Sequence, residues 1–88
     1  MKIKSEFILR EIMGSYIVVP TGENLVDFKV MLTLNETSAF LWNLLQEEKT
    51  FDEVVYELIS EYNVDEQTAR QDVEEFIKLL TDKRVIEK

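Results

Sequence analysis

Apolar and polar positions alternate in two short runs near the start of the chain, about residues 6 to 12 and 15 to 20, on either side of Gly14-Ser15. Period-two alternation around a glycine predicts a β-hairpin, and Pro20 to Gly22 predicts a further turn. The segment DFKVMLTL then places Phe28, Val30, Leu32 and Leu34 on one face and Lys29, Met31 and Thr33 on the other. This predicts a third, half-buried strand.

At Asn35 the period changes to that of a helix without any linker. Asn35 stands at an N-cap position, where its side-chain oxygen can accept a backbone N–H of the first turn. The helix of residues 36 to 47 has Leu41, Trp42, Leu44 and Leu45 on a wide apolar face, with Glu36, Asn43 and Glu47 opposite. A cluster of leucines with one tryptophan at this spacing reads as core. A second helix starts at Thr50, where T-F-D-E forms a capping box with Glu53, and Phe51, Val54, Val55, Leu58, Ile59 and Tyr62 make its stripe. Asp65 caps a third helix of about residues 66 to 81, with Ala69, Val73, Phe76, Ile77 and Leu80 as its stripe. The closing DKRVIEK has the pattern of a short last strand. The fold class is therefore α+β: a winged-helix-like domain in which a three-stranded antiparallel sheet precedes a three-helix bundle containing a helix-turn-helix.

Composition narrows what such a domain can do. The 88 residues fit one domain, residues 1–88, and a chain of this size buries about 60–65% of its unfolded surface. It contains no histidine and no cysteine, which removes the commonest general base, metal ligand and nucleophile. The chain is accordingly expected to be no enzyme and to need no cofactor or metal. The acids on its helices lack the glycine-punctuated spacing of a calcium loop. No signal-like segment opens the sequence and no apolar run approaches the ~18 residues of a membrane span, so a cytoplasmic protein without membrane attachment is expected.

Charge decides against nucleic acid. The net charge is −8, and residues 35 to 64 carry seven acids against one base. The third helix, which would enter the major groove in a helix-turn-helix protein, begins DEQTARQDVEE with five acids and one arginine. Duplex binding rests first on cationic contacts to phosphate, and here the sign is wrong.

Phe40 breaks the pattern. It falls between Glu36, Asn43 and Glu47, so a large aromatic sits on the polar side of the first helix. Two readings follow: the N-terminal hairpin folds over it, or it contacts a partner or a second copy of the chain in a homodimer.

The string MLTLNETSAFLW, followed by TFDEVVYELISEYNVDEQTARQDVEEFIKLLTDKRVIE, resembles the PqqD family. These are small peptide chaperones of coenzyme PQQ synthesis, also called recognition elements of ribosomally synthesised, post-translationally modified peptides. The resemblance implies a binding protein without chemistry of its own, whose partner is the leader of a precursor peptide. The leader adds as a strand to the third strand, lies between it and the third helix, and is presented to a modifying enzyme, often a radical S-adenosylmethionine protein. Carried to this chain, the third strand is Phe28, Lys29, Val30, Met31, Leu32 and Thr33. The groove wall on the third helix is expected to combine Val73 and Ile77 with Arg70 and Glu74, although Val73 and Ile77 also suit ordinary core and Arg70 can bridge Glu66 or Glu74 at helical spacing. Many relatives have glycine near positions 29 or 30 and at 38, where this chain has Lys29, Val30 and Ser38. The alternative reading is a winged-helix regulatory or structural module that dimerises or docks on a protein without binding leaders.

Overall fold

The computed structural model describes residues 1–21 and 32–87. Its elements run β1 (Lys2–Ile3), β2 (Phe7–Ile12), β3 (Ser15–Pro20), β4 (Leu32–Leu34), α1 (Glu36–Leu44), α2 (Phe51–Tyr62), α3 (Glu66–Asp82) and β5 (Ile86–Glu87). Strands β2, β3 and β4 form an antiparallel sheet in that order, while β1 and β5 pair separately. The fold is the expected α+β arrangement of a three-stranded sheet followed by three helices. Gly22 and the first part of the expected third strand, Phe28, Lys29, Val30 and Met31, lie outside the described residues.

The hairpin closes at Ile12↔Ser15 through a two-residue turn, Met13-Gly14. Both turn residues have positive φ, 52° and 84°, as a turn matching the right-handed twist of its strands requires. Glycine adopts this freely, whereas Met13 does so at a steric cost and leaves its side chain 99% exposed.

All three helix starts are made by side chains within three residues of the bonds they close. Asn35 Oδ1 accepts from Ser38 N at 2.8 Å, and Asp65 Oδ1 accepts from Thr68 N at 2.7 Å. The capping box is complete: Thr50 N donates to Glu53 Oε1 at 2.8 Å and Glu53 N to Thr50 Oγ1 at 3.1 Å. Helix α2 ends on Asn63 in the left-handed conformation, a position that asparagine tolerates well. Helix α3 ends in a Schellman motif: Val85 N donates to Leu80 O at 2.9 Å and Arg84 N to Thr81 O at 3.0 Å, with Arg84 at φ 59°.

Two differences from the sequence reading share one cause. Helix α1 stops at Leu44 rather than at residue 47, and β1 was not expected. Leu45 is fully buried, and its carbonyl accepts from Ile3 N at 2.9 Å, so the backbone leaves the helix to meet β1. A two-residue strand has no periodicity to reveal it, and its partner β5 lies at the other end of the chain, in the register Lys2↔Glu87 and Ile3↔Ile86.

The core is wholly apolar among the described residues, with no buried polar or charged side chain. Trp42 and Leu41 of α1 meet Val54, Val55 and Leu58 of α2, Ala69, Val73, Phe76 and Leu80 of α3, and Phe7, Val18, Leu32 and Leu34 of the sheet. Trp42, 1% exposed, is core as its spacing indicated. Burying a side chain of this size is worth upwards of ~2 kcal/mol, which fixes α1, and with it the strand welded to its N-terminus.

Candidate functional site: an open strand edge and an acidic cleft

Strand β4 pairs with β3 through Leu34↔Tyr16, Thr33↔Ile17 and Leu32↔Val18. It is the last strand of its sheet, and no strand covers its other side among the described residues. Leu32 and Leu34 are buried while Thr33 is exposed, so the strand is anchored on one face and open along one edge. Such an edge offers backbone N–H and C=O groups to an added strand.

The strand ends at a cleft. Asn35, the residue after β4, stands on the rim of a hollow of about 280 Å³ between the start of α1 and one face of α3. From α1 come Thr37, Ser38 and Leu41, and from α3 come Asp72, Glu75, Phe76 and Leu79. The α3 residues recur at the three- and four-residue spacing of a single helical face. Leu41 and Phe76 are core residues that surface only at the floor, whereas Leu79 is 37% exposed and so offers apolar area to whatever enters. Leu79 belongs to a short group of exposed large apolar side chains among the described residues, with Ile12, Met13 and Tyr56. Asn35 Oδ1 is already engaged in capping α1. Glu75 accepts only a long bond from Gln71 Nε2, at 3.4 Å, and no hydrogen bond or ion pair holds Asp72 among the described residues.

Of the residues expected in the site, Leu32 and Thr33 lie on β4, and Phe28 to Met31 fall outside the described residues. The four expected from α3 do not line the cleft. Val73 is fully buried, Ile77 is half-buried against the core, and Glu74 is exposed. Arg70 turns to α2: its Nε donates to Glu66 Oε2 at 3.0 Å and its NH1 to Asp52 Oδ1 at 3.1 Å, with the guanidinium 5.9 Å from the centre of the Phe51 ring. These two carboxylates raise the pKa of the guanidinium, so it stays a cation that joins the two helices. The bridge to Glu66 is the plainer of the roles that its spacing allowed.

Positions 72, 75, 76 and 79 repeat the spacing of 70, 73, 74 and 77 two residues later, a rotation of about 200° around the helix. A helical wheel defines faces but not which of them meets the neighbouring element. The available signal was the pair Leu79-Leu80: the core stripe needs only Leu80, so the second leucine marks a second apolar face.

Phe40 is half-buried, and its ring meets Tyr62 edge-on, with centroids 5.4 Å apart and planes at 85°. The end of α2 thus supplies the neighbouring aromatic. Burial, and then the negative charges of Glu36 and Glu61, raise the pKa of the Tyr62 phenol.

A small α+β fold with an open strand edge leading into a helix-walled cleft has the layout of a peptide-binding module, with backbone bonds for affinity and pockets for alternate side chains. The chain belongs to the PqqD family, Coenzyme PQQ synthesis protein D, whose model matches residues 17–86. Two solved structures share the fold over nearly the whole chain. TbiB1 in complex with the TbiA(beta) leader peptide is 26% identical with a TM-score of 0.78, covering 99% of this chain and 95% of that one. Lasso peptide synthetase B1 complexed with the leader peptide is 18% identical with a TM-score of 0.75, covering 99% and 96%. No curated protein matches the chain.

Proposed function

We propose that this protein is a non-catalytic recognition element that binds the leader segment of a ribosomally made precursor peptide and presents it to a modifying enzyme. The observation that carries this reading is the open-edged strand β4 ending, at Asn35, on the rim of the α1–α3 cleft. The leader adds as a strand at the open edge of β4, with Phe28 to Thr33 the residues proposed to face it, and alternate side chains reach into the cleft. Val73 and Ile77 back the α3 wall from the core, and Arg70 and Glu74, the other α3 contacts expected from the sequence, stand outside the cleft lining. Membership of the PqqD family and the resemblance to TbiB1, whose structure contains a leader peptide, support the same reading.

The modifying enzyme is a separate partner. The family favours a radical S-adenosylmethionine enzyme, whereas the structural neighbours favour the maturation of a lasso peptide. Phe40, beside Tyr62, is the candidate contact for that enzyme or for a second copy of the chain. The regulatory alternative, a winged-helix module acting without leaders, is not favoured, because the family match and both structural neighbours are of the leader-recognition kind. Ordering a flexible peptide costs ~2–5 kcal/mol, which sets the expected Kd near micromolar, about −8 kcal/mol.

The test is an NMR titration of the labelled protein with synthetic leader peptides, the TbiA(beta) leader first among them. Amides of residues 28 to 34 and of α3 should shift, and a leader N-methylated at alternate residues should lose binding because its backbone donors are gone. Shifts confined to α2, or equal affinity for the N-methylated leader, refute strand addition.

A further inference from the structure

We infer, resting on the leader-binding reading above, that this cleft selects peptides by charge: the recognised segment carries a lysine or arginine two positions from an apolar or aromatic residue on the same face of the added strand. The cleft is built of two unlike parts. Its floor and one end are apolar, formed by Leu41, Phe76 and the exposed Leu79. The α3 wall also carries two carboxylates, Asp72 and Glu75, and neither is paired with a cation among the described residues. Lys78 follows Glu75 by three residues on the same helix but forms no ion pair with it, and Arg70 is committed to Asp52 and Glu66 on the other side of α3. Among the described residues the wall therefore presents carboxylates held in no ion pair at the place where a ligand's side chains enter, and complementary charge chooses among peptides that all satisfy the strand edge equally.

Helix and strand geometry set the spacing. Glu75 and Leu79 are four residues apart, a rise of about 6 Å along α3. Same-face neighbours on an extended peptide, i and i+2, are about 6.6–6.8 Å apart. A peptide lying beside α3 thus brings one side chain to Leu79 when its neighbour two positions away reaches the carboxylates. A peptide with aspartate or glutamate at that neighbour position meets like charge and is rejected.

A random dodecapeptide display library selected on the 88-residue protein tests this. Binders should be enriched in the pair of an apolar residue and a lysine or arginine at i±2. Replacing that basic residue by alanine in a selected peptide should weaken binding roughly three- to tenfold in low salt and less in high salt. Selection on the double variant Asp72→Asn, Glu75→Gln should keep the apolar preference and lose the basic one; both positions are exposed, so the fold is retained. Binders that shift the amides of Leu32 to Leu34 and of α3 without any basic bias, or with a bias unchanged in the double variant, overturn the charge rule and leave leader binding standing. If no selected peptide shifts those amides, both fall.

Discussion

The two sides of α3 handle charge in opposite ways. Toward α2, Arg70 is neutralised twice, by Glu66 and Asp52, and lies over Phe51, so that face is closed by its own chain. Toward α1, Asp72 and Glu75 have no cationic partner among the described residues, and Leu79 is exposed beside them. The structural face satisfies itself, whereas the face proposed to bind the leader is left with unpaired carboxylates and uncovered apolar area among the described residues. That contrast, rather than the number of polar residues, separates surface from site on this helix.

Adjacent leucines give the sharpest break between the two roles. Leu80→Ala removes a fully buried side chain and should cost ~2–5 kcal/mol in urea denaturation, enough to threaten so small a domain. Leu79→Ala should change stability by less than ~1 kcal/mol yet weaken leader affinity about tenfold by calorimetry. Equal stability losses at the two positions would erase the distinction. Arg70→Ala should lower Tm by only a few degrees, with the difference shrinking in high salt, and leave leader affinity unchanged. A marked loss of affinity in that variant would move the site to the α2 side.

The smallest effect concerns the helix caps. The Thr68 N–H holds the Asp65 carboxyl below its usual pKa, and Thr50 does the same for Glu53. A carboxylate with a depressed folded pKa contributes stability that is fully present above its unfolded pKa and is lost as pH falls through the folded one. Tm should therefore fall as pH drops below about 4 to 5. Asp65→Asn keeps a capping oxygen without a titrating group, so it should match the parent at neutral pH and flatten the acid slope; an unchanged slope would show that Asp65 contributes nothing to it.

The same contrast explains what could be read from the chain. Asn35, Thr50 with Glu53, and Asp65 were legible because a cap is chemistry between residues three apart. The core stripes and Trp42 were legible because periodicity records burial. The end of α1 was not, since Leu45 gives its carbonyl to Ile3, some forty positions earlier. The cleft face of α3 was not either, because a wheel shows that Asp72, Glu75 and Leu79 share a side without showing what stands opposite. Family resemblance supplied the strand edge, and only the placement of the start of α1 opposite α3 supplied the cleft.

The pairing of β1 with β5 joins Lys2 to Glu87 and so closes nearly the whole chain into a loop. Contacts of such sequence separation carry the largest loop-closure entropy in the molecule and are expected to form after the local helices and the hairpin. Two dyes placed near the ends would then act as a folding clock: their approach marks the last event of assembly and their separation the first event of unfolding, far in time from the hairpin at Met13-Gly14.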